Sequence, residues 1–313
     1  MSPADGPAVD TDVPPPAAGA TPADAQILSG IAERVRKGEC ILFLGAGVHS
    51  PPPAASSFVY AEADRPPSGG ALSERLAGQT SFAHDFPRDS VRNLARVALH
   101  YEQTLSRHRL VNEISGAVQD GKQPSPALRA LAELPWALVV TTNYDQLFER
   151  ALRAVGKDPV VSVYDPDDNA ETRDIGGRPK PERPFILKIH GDIGSPASLV
   201  VTDEDYIQFV LRMSDKDVFN PVPLGLKYHF KIWPTLFVGY SLMDYNLRLL
   251  FKTLRWKMDR AEIPDTYSID PYPDGLIVRV LWDQYRYVKF IAQDVWTFVP
   301  ELYRAVMGKE MAR

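Results

Sequence analysis

The stretch that decides the fold is Ala137-Leu138-Val139-Val140-Thr141-Thr142-Asn143-Tyr144-Asp145. Its first half is short, apolar and rich in valine, which is typical of a buried strand. Its second half is polar and leads directly into an amphipathic pattern, in which Leu147, Phe148 and Ala151 share one helical face and Gly156 stands at the C-cap. The stretch therefore predicts a strand that passes through a polar turn into a helix. In α/β sheets such a turn lies at the carboxyl edge, where ligands bind.

Three further stretches follow the same pattern of an apolar strand that ends in a glycine-rich or polar cluster. They are 40–44 before Gly45-Ala46-Gly47-Val48, 185–189 before His190-Gly191-Asp192, and 235–238 before Gly239-Tyr240-Ser241. If the four strands are parallel neighbours, all four clusters meet along one edge of the sheet. The sequence therefore predicts an α/β fold with a parallel sheet and one ligand site at its carboxyl edge.

Composition excludes several classes of function. The chain has 313 residues and a net charge of -5, and it contains no long Lys/Arg cluster, which argues against nucleic acid as its main ligand. Cys40 is its one cysteine, so one chain can form neither a disulfide nor a zinc site of several thiolates, and we expect this thiol in the core. The sequence has neither an apolar run of ~20 residues nor a signal peptide, so the expected compartment is the cytoplasm.

The order of segments predicts one domain with a tail. Residues 1–22 are rich in Pro, Ala and Gly and should be disordered, whereas 23–313 should fold as a single domain. A helical insertion is predicted over about 71–134, between the first and second sheet strands. Near the C-terminus, 276–282 and 285–292 predict two short strands joined by a tight turn, and a helix is predicted after Pro300.

Each cluster has a functional and a purely structural interpretation. Gly45 and Gly47 would let the backbone approach a phosphate, or they form a tight turn with no ligand. Asn143 and Asp145 would face a ligand, or they only end the strand and cap the next helix. His190 leaves a buried strand at the same edge as Asn143, which favours a functional role over a structural one.

The remaining candidates are less specific. Ser241 and Asp244 would bind a ribose or phosphate, or they form the turn and N-cap of a helix that begins near residue 244. His49 lies just beyond the first glycine turn and is a further candidate for the site.

Taken in order, four motifs resemble the sirtuin superfamily, and most of all its bacterial branch of sirtuin-like NAD hydrolases used in anti-phage defence. The motifs are Gly45-Ala46-Gly47-Val48, Thr141-Thr142-Asn143-Tyr144-Asp145, Lys188-Ile189-His190-Gly191-Asp192 and the segment 239–247 that begins Gly239-Tyr240-Ser241. The resemblance covers roughly residues 40–255 and implies an NAD-binding, Rossmann-like parallel sheet with helices on both faces and a helical insertion.

The resemblance also implies roles for individual residues. Asn143 and His190 would act at the nicotinamide ribose, and Asp145 would lie near the nicotinamide amide. The other implied binding residues hold the remaining parts of NAD and are Gly45, Ala46, Gly47, Val48, Thr142, Gly239, Ser241 and Asp244. One departure from the family is His49, which stands where the family has a serine, with Ser50 one place later.

The function implied is hydrolysis of NAD+ to nicotinamide and ADP-ribose, with NAD+ as substrate and no metal. This chemistry is reasonable by itself, because nicotinamide is already a cationic leaving group and an amide with an imidazole can position the ribose and water. Two alternatives remain: a subunit that senses NAD or ADP-ribose without turnover, and an NAD-dependent deacylase without the family's four-cysteine zinc module. By analogy we expect a homo-oligomer and a separately encoded partner, such as a translocase-type ATPase.

Overall fold

The computed structural model describes residues 22–167, 174–213, 220–240, 242, 262–280 and 288–312. The expected tail before Pro22, the candidates Ser241 and Asp244, and the helix predicted from residue 244 lie outside these ranges. None of the described helices is long and apolar enough to cross a membrane.

Seven strands form one sheet in which every pair of neighbours is parallel. The strands are β1 Ile41–Leu44, β2 Leu138–Thr141, β3 Val160–Val163, β4 Phe185–Lys188, β5 Thr235–Val238, β6 Thr266–Ile269 and β7 Lys289–Ile291. Their order is β3-β4-β2-β1-β5-β6-β7. The chain thus builds one side of β1 first and then the other, so the direction of winding reverses at the carboxyl end of β1, where α/β sheets bind ligands.

Helices cover both faces of the sheet. They are α1 Pro22–Arg36, α2 Gly69–Ala77, α3 Phe82–Asp85, α4 Leu94–Thr104, α5 Arg107–Gln119, α6 Pro126–Glu133, α7 Leu147–Ala154, α8 Asp203–Leu211, α9 Leu224–Ile232, α10 Gly275–Val278 and α11 Val295–Met307. Leu42 and Leu44 point into a core shared with α1, α6, α7 and α11, whereas Ile41 and Phe43 point into a core shared with α8 and α9. This architecture confirms the predicted α/β parallel-sheet fold.

The helices between β1 and β2 divide into two groups. Leu76, Val97 and Ile114, from α2, α4 and α5, lie in a third core that is separate from both faces of the sheet. In contrast, α6 packs on the sheet, and Ser125 caps it by accepting a 2.9 Å hydrogen bond from the Leu128 amide. The small third core carries the side chains that reach over the carboxyl edge of β1.

The C-terminal part of the chain differs from the prediction. A helix, α10, replaces the first strand expected near residue 276, because Asp274 accepts a hydrogen bond from the Ile277 amide and caps it. β7 pairs parallel with β6, so the expected hairpin is wrong. The last helix begins at Val295, before Pro300, because Asp294 caps it through the Thr297 amide.

Candidate active site at the carboxyl edge of the sheet

The first glycine turn is packed against the end of β5. The Gly47 amide donates a 2.8 Å hydrogen bond to the carbonyl of Gly239, and the Gly45 amide donates to Val238. A Cβ atom at Gly45 or Gly47 would lie 2.4 or 2.8 Å from the Gly239 carbonyl oxygen. The glycines are therefore required for the close approach of the two loops, so part of the first turn has a structural reason that is independent of any ligand.

Asn143 is held through its backbone, and its side-chain oxygen has no partner in the described part of the chain. Thr141 donates its hydroxyl to the Leu44 carbonyl at 3.0 Å and accepts the Asn143 amide at 3.0 Å. The Oδ1 atom of Asn143 is buried and has no hydrogen-bond partner among the described residues. The interpretation of Asn143 as a helix cap therefore finds no support, since the N-cap of α7 is Gln146. Buried acceptors are nearly always paired in proteins, so this unpaired oxygen is a candidate contact for a ligand or a water molecule.

His190 is fixed from two directions. Its carbonyl accepts a 3.0 Å hydrogen bond from the Val200 amide, and its ring meets those of Tyr206 and Phe209 edge to face, with centroids 5.2 and 5.3 Å away. Gly191 follows with a φ of +87°, and a Cβ there would lie 2.2 Å from the Ser198 carbonyl oxygen. These contacts orient an imidazole that is only 5% exposed.

A cavity of about 430 Å³ opens between these elements. The predicted site residues that line it are Ala46, Gly47, Thr142, Asn143, Asp145, His190 and Gly239, and His49 lines it as well. Gly45 and Val48 are not among the lining residues, although Gly45 contacts Gly239 behind the wall. The insertion contributes Leu72 and Leu94, and the loop before it contributes Pro66, so side chains from outside the sheet form part of the enclosure.

Asp145 and His49 form a buried pair in the wall of this cavity. The Nε2 atom of His49 lies 3.3 Å from Oδ2 of Asp145, and Oδ1 of Asp145 accepts a 2.9 Å hydrogen bond from the Leu147 amide. Burial would raise the pKa of Asp145, but His49, Lys188 and the Leu147 amide together lower it. Asp145 thus makes one local helix-capping bond and one long-range bond.

A second charged group lies under the site. Lys188 is fully buried; its Nζ atom donates to the carbonyl of Asp145 at 2.5 Å, forms an ion pair with Asp192, and lies 3.1 Å from Oε1 of Glu149. Burial alone would lower the pKa of Lys188, but the attraction of Glu149, Asp192 and Asp145 outweighs it and raises this pKa. Burial raises the pKa of Glu149, and the attraction of Lys188 offsets only part of that effect. The cluster connects the loops that carry Asn143 and His190.

Sequence reasoning assigned no role to Lys188 or Glu149. A signal was available, because Lys188 is a charged residue in an otherwise apolar strand, and such a residue is buried only when it is paired. Tyr206 and Tyr240 also line the cavity and were missed. Tyr206 lies in α8, outside the four motifs, so no pattern within them indicates its place.

A smaller cavity of about 210 Å³ lies on the far side of Gly47 and Gly239. Asp270, directly after β6, lines it together with Asp294 and Trp296. The two cavities share the glycine turn as their common wall. This arrangement can accommodate an elongated ligand that crosses the turn, with an amide and an imidazole at one end and carboxylates at the other.

Comparison with known proteins agrees with this fold class. Residues 137–291 match the SIR2-like domain family. The chain is 25% identical over 230 residues to the NAD(+) hydrolase ThsA of Acinetobacter baumannii (strain 532279), a match that covers 73% of this chain and 42% of that protein. It is 30% identical over 141 residues to the NAD(+) hydrolase ThsA of Enterococcus faecium, covering 44% of this chain and 26% of the relative.

A third relative is the Defense-associated sirtuin 2 of Bacillus subtilis, 27% identical over 161 residues, which covers 50% of this chain and 14% of that protein. The chain thus spans less than half the length of the curated relatives described here. The matched domain begins just before β2, and the structure adds the glycine turn after β1 to the same edge. Residues 137–291 thus resemble a SIR2-like domain, and the parallel sheet is consistent with that resemblance.

Proposed function

We propose that the protein hydrolyses NAD+ at the bond between nicotinamide and ribose, releasing nicotinamide and ADP-ribose. The observation that carries this proposal is that Asn143 and His190, distant in sequence, line one cavity beside the first glycine turn. The names of the relatives, NAD(+) hydrolase and defence-associated sirtuin, support the same class of substrate.

In the proposed reaction the C1′–N bond of the nicotinamide ribose breaks, and its electron pair leaves with nicotinamide, which becomes neutral. The sugar passes through an oxocarbenium-like transition state, as in glycoside cleavage. Water adds to C1′, and its proton passes to the imidazole of His190. Asn143 holds the ribose hydroxyls through its side-chain amide, for which its buried, unpaired Oδ1 atom is suited.

The surroundings of His190 fit the role of a base. Tyr206 and Phe209 fix the ring by edge-to-face contacts and shield it from bulk water. A fixed orientation matters because proton transfer requires a heavy-atom approach of about 2.6–3.2 Å. The amides of Gly45, Gly47 and Val48 already donate to backbone carbonyls, so a pyrophosphate that crosses between the two cavities would be bound by the remaining amides of this turn.

The test is release of nicotinamide from NAD+ by the purified protein, measured for the wild type and for Asn143→Ala and His190→Ala. We expect each substitution to lower the rate by about 100-fold or more, as is typical for loss of a positioned acid–base group. Asn112→Ala and His108→Ala are matched controls, because these two residues are exposed on α5 and do not line the cavity.

Turnover that persists in both site variants would overturn the assignment of these residues. Tight, stoichiometric binding of NAD with no product would instead favour the sensing subunit, and NAD-dependent loss of acetyl groups from lysine peptides would favour the deacylase. We further propose that the activity serves anti-phage defence in a cytoplasmic homo-oligomer with an encoded partner. Loss of phage protection in cells carrying Asn143→Ala would support the defence role.

A further inference from the structure

His49 presents a polar atom that no described residue engages. Its side chain is 4% exposed, its Nε2 atom is engaged by Asp145 at 3.3 Å, and its Nδ1 atom is buried with no hydrogen-bond partner among the described residues. The residue lines the same cavity as Asn143 and His190. Buried polar atoms in proteins are nearly always paired, so an unpaired one in a cavity wall is a candidate contact for a ligand.

The pairing with Asp145 decides what Nδ1 can do. A carboxylate only accepts hydrogen bonds, so the His49 nitrogen that faces it carries the proton. In the neutral ring the other nitrogen, Nδ1, is then an acceptor, in the same way that a carboxylate fixes the tautomer of a ligating histidine. Whenever the ring is neutral, Nδ1 of His49 therefore accepts from a donor, an O–H or an N–H.

Asp145 is itself held in place, so the acceptor has a defined position. The Leu147 amide binds its other oxygen, and Lys188 holds its backbone carbonyl. His49 follows the glycine turn and is connected by this pair to the end of β2, across 96 positions of sequence. The imidazole is thus fixed by two loops that both border the cavity.

We propose that His49, oriented by Asp145, is a further ligand-binding residue, whose Nδ1 atom accepts a hydrogen bond from an uncharged donor group of the bound dinucleotide. This inference rests on the proposed function. NAD offers two kinds of donor at its nicotinamide end, the carboxamide N–H and the ribose hydroxyls. Either kind can donate a hydrogen bond to Nδ1 of His49.

The experiment measures binding by calorimetry in a His190→Ala background, which suppresses turnover. The ligands are NAD, the 3-acetylpyridine analogue, which lacks the carboxamide N–H, and an analogue with 2′,3′-dideoxyribose at the nicotinamide end, which lacks both hydroxyls. We expect His49→Ala to weaken NAD binding by about 3- to 10-fold, the usual value of one neutral hydrogen bond. Affinity for the analogue that lacks the recognised donor should not change on the same substitution, which identifies the donor.

Two further variants separate recognition from structural support. His49→Gln keeps one donor for Asp145 and one acceptor, and it should retain NAD affinity within about 3-fold. His108→Ala, on the exposed face of α5, should leave all three affinities unchanged. An equal loss for NAD and both analogues in His49→Ala would mean that His49 only supports the fold, and it would overturn the inference.

A result that needs no substitution at position 49 is also decisive. If the background protein binds both analogues as tightly as NAD, no donor is recognised and the inference is wrong, even if His49→Ala does not fold. Nicotinamide release by the wild type is measured in parallel. If the wild type releases nicotinamide but the background protein binds NAD and both analogues equally, only the role of His49 is refuted. If the background protein binds NAD more tightly than an analogue but the wild type releases no nicotinamide, only the proposed hydrolysis is refuted.

Discussion

The backbone amide of Gly47 lies 2.8 Å from the carbonyl oxygen of Gly239, which joins the turn after β1 to the turn after β5. The contact brings the first and last of the four predicted motifs together at the point where the winding of the sheet reverses. It also forms the wall between the two cavities. The stability of the fold and the shape of the site should therefore both depend on the close contact between Gly47 and Gly239.

Replacing Gly239 should disrupt both the fold and the site. Gly239 has a φ of +70°, and an added Cβ would lie 2.2 Å from the Val48 amide nitrogen. The left-handed conformation alone costs about 1–2 kcal/mol, and the backbone clash adds to it. We expect Gly239→Ala to lower the free energy of unfolding by roughly 3 kcal/mol or more, as measured by urea denaturation.

The matched control for this substitution is Gly308→Ala. Gly308 has a nearly identical φ of +69° at the end of α11, but no atom of the described residues lies within 4 Å of its added Cβ. Gly308→Ala should therefore lower the free energy of unfolding by only about 1 kcal/mol, which is the cost of the left-handed conformation alone. Equal losses in both variants would show that the approach of Gly47 to Gly239 is not tight.

Thr141→Val should impair turnover more than stability. The substitution keeps the shape of the side chain but removes the hydroxyl that connects the Leu44 carbonyl with the Asn143 amide. We expect a loss of about 1–2 kcal/mol in stability and a slower release of nicotinamide, because Asn143 is no longer held. Both kcat and the free energy of unfolding are measured on the same preparation.

Thr235→Val provides the comparison in the same sheet. The hydroxyl of Thr235 is buried and has no hydrogen-bond partner among the described residues. Its removal should therefore be neutral or stabilising, and it should leave turnover unchanged. A similar loss in both threonine variants would refute the role of Thr141.

Lys188→Met should be among the most destabilising single changes. It removes the cation that faces three carboxylates and leaves Asp192 buried without its ion pair. Breaking a buried pair in this way costs about 3–5 kcal/mol. Lys37→Met is the control, since the Lys37–Glu33 pair is more than half exposed on α1, and it should change stability by less than about 1 kcal/mol.

Glu149→Gln should change the dependence of stability on pH. The pKa of Glu149 is raised above its ordinary value of 4.5, chiefly by burial. As the pH rises from 4.5 towards that folded-state pKa, the unfolded chain loses its proton first, so the wild type loses stability over this window. The glutamine variant lacks this loss, and its stability relative to the wild type should rise with pH.

Glu33→Gln should change the pH dependence of stability in the opposite direction. The pKa of Glu33 is lowered, first of all by its hydrogen bond with Lys37, so the wild type holds the resulting small stabilisation above pH 4.5 and loses it as the pH falls. The variant should therefore lose a little stability above that pH. Unfolding curves between pH 4 and 8 test both signs, and a pH-independent effect of Glu149→Gln would contradict the shift.

Sequence prediction found the strands that are unbroken apolar runs, and it missed the buried strand whose apolar run is interrupted by polar residues. β1, β2, β4 and β5 were found because each is an apolar run, and all four are fully buried. β6 was missed although it is equally buried, because Thr266 and Ser268 break its apolar run. The segment 276–282 was assigned to a strand from its β-branched residues, but the cap at Asp274 decided in favour of a helix.

By itself, the sequence determined the parallel α/β fold and the four polar strand ends, because the alternation of apolar and polar residues reports the local burial of each segment. The tertiary structure alone decided the strand order, the approach of Gly47 to Gly239, the charges around Lys188 and the pairing of His49 with Asp145. These contacts join segments far apart in the chain, and their energies depend on which strands are neighbours. No local pattern of residues carries that information.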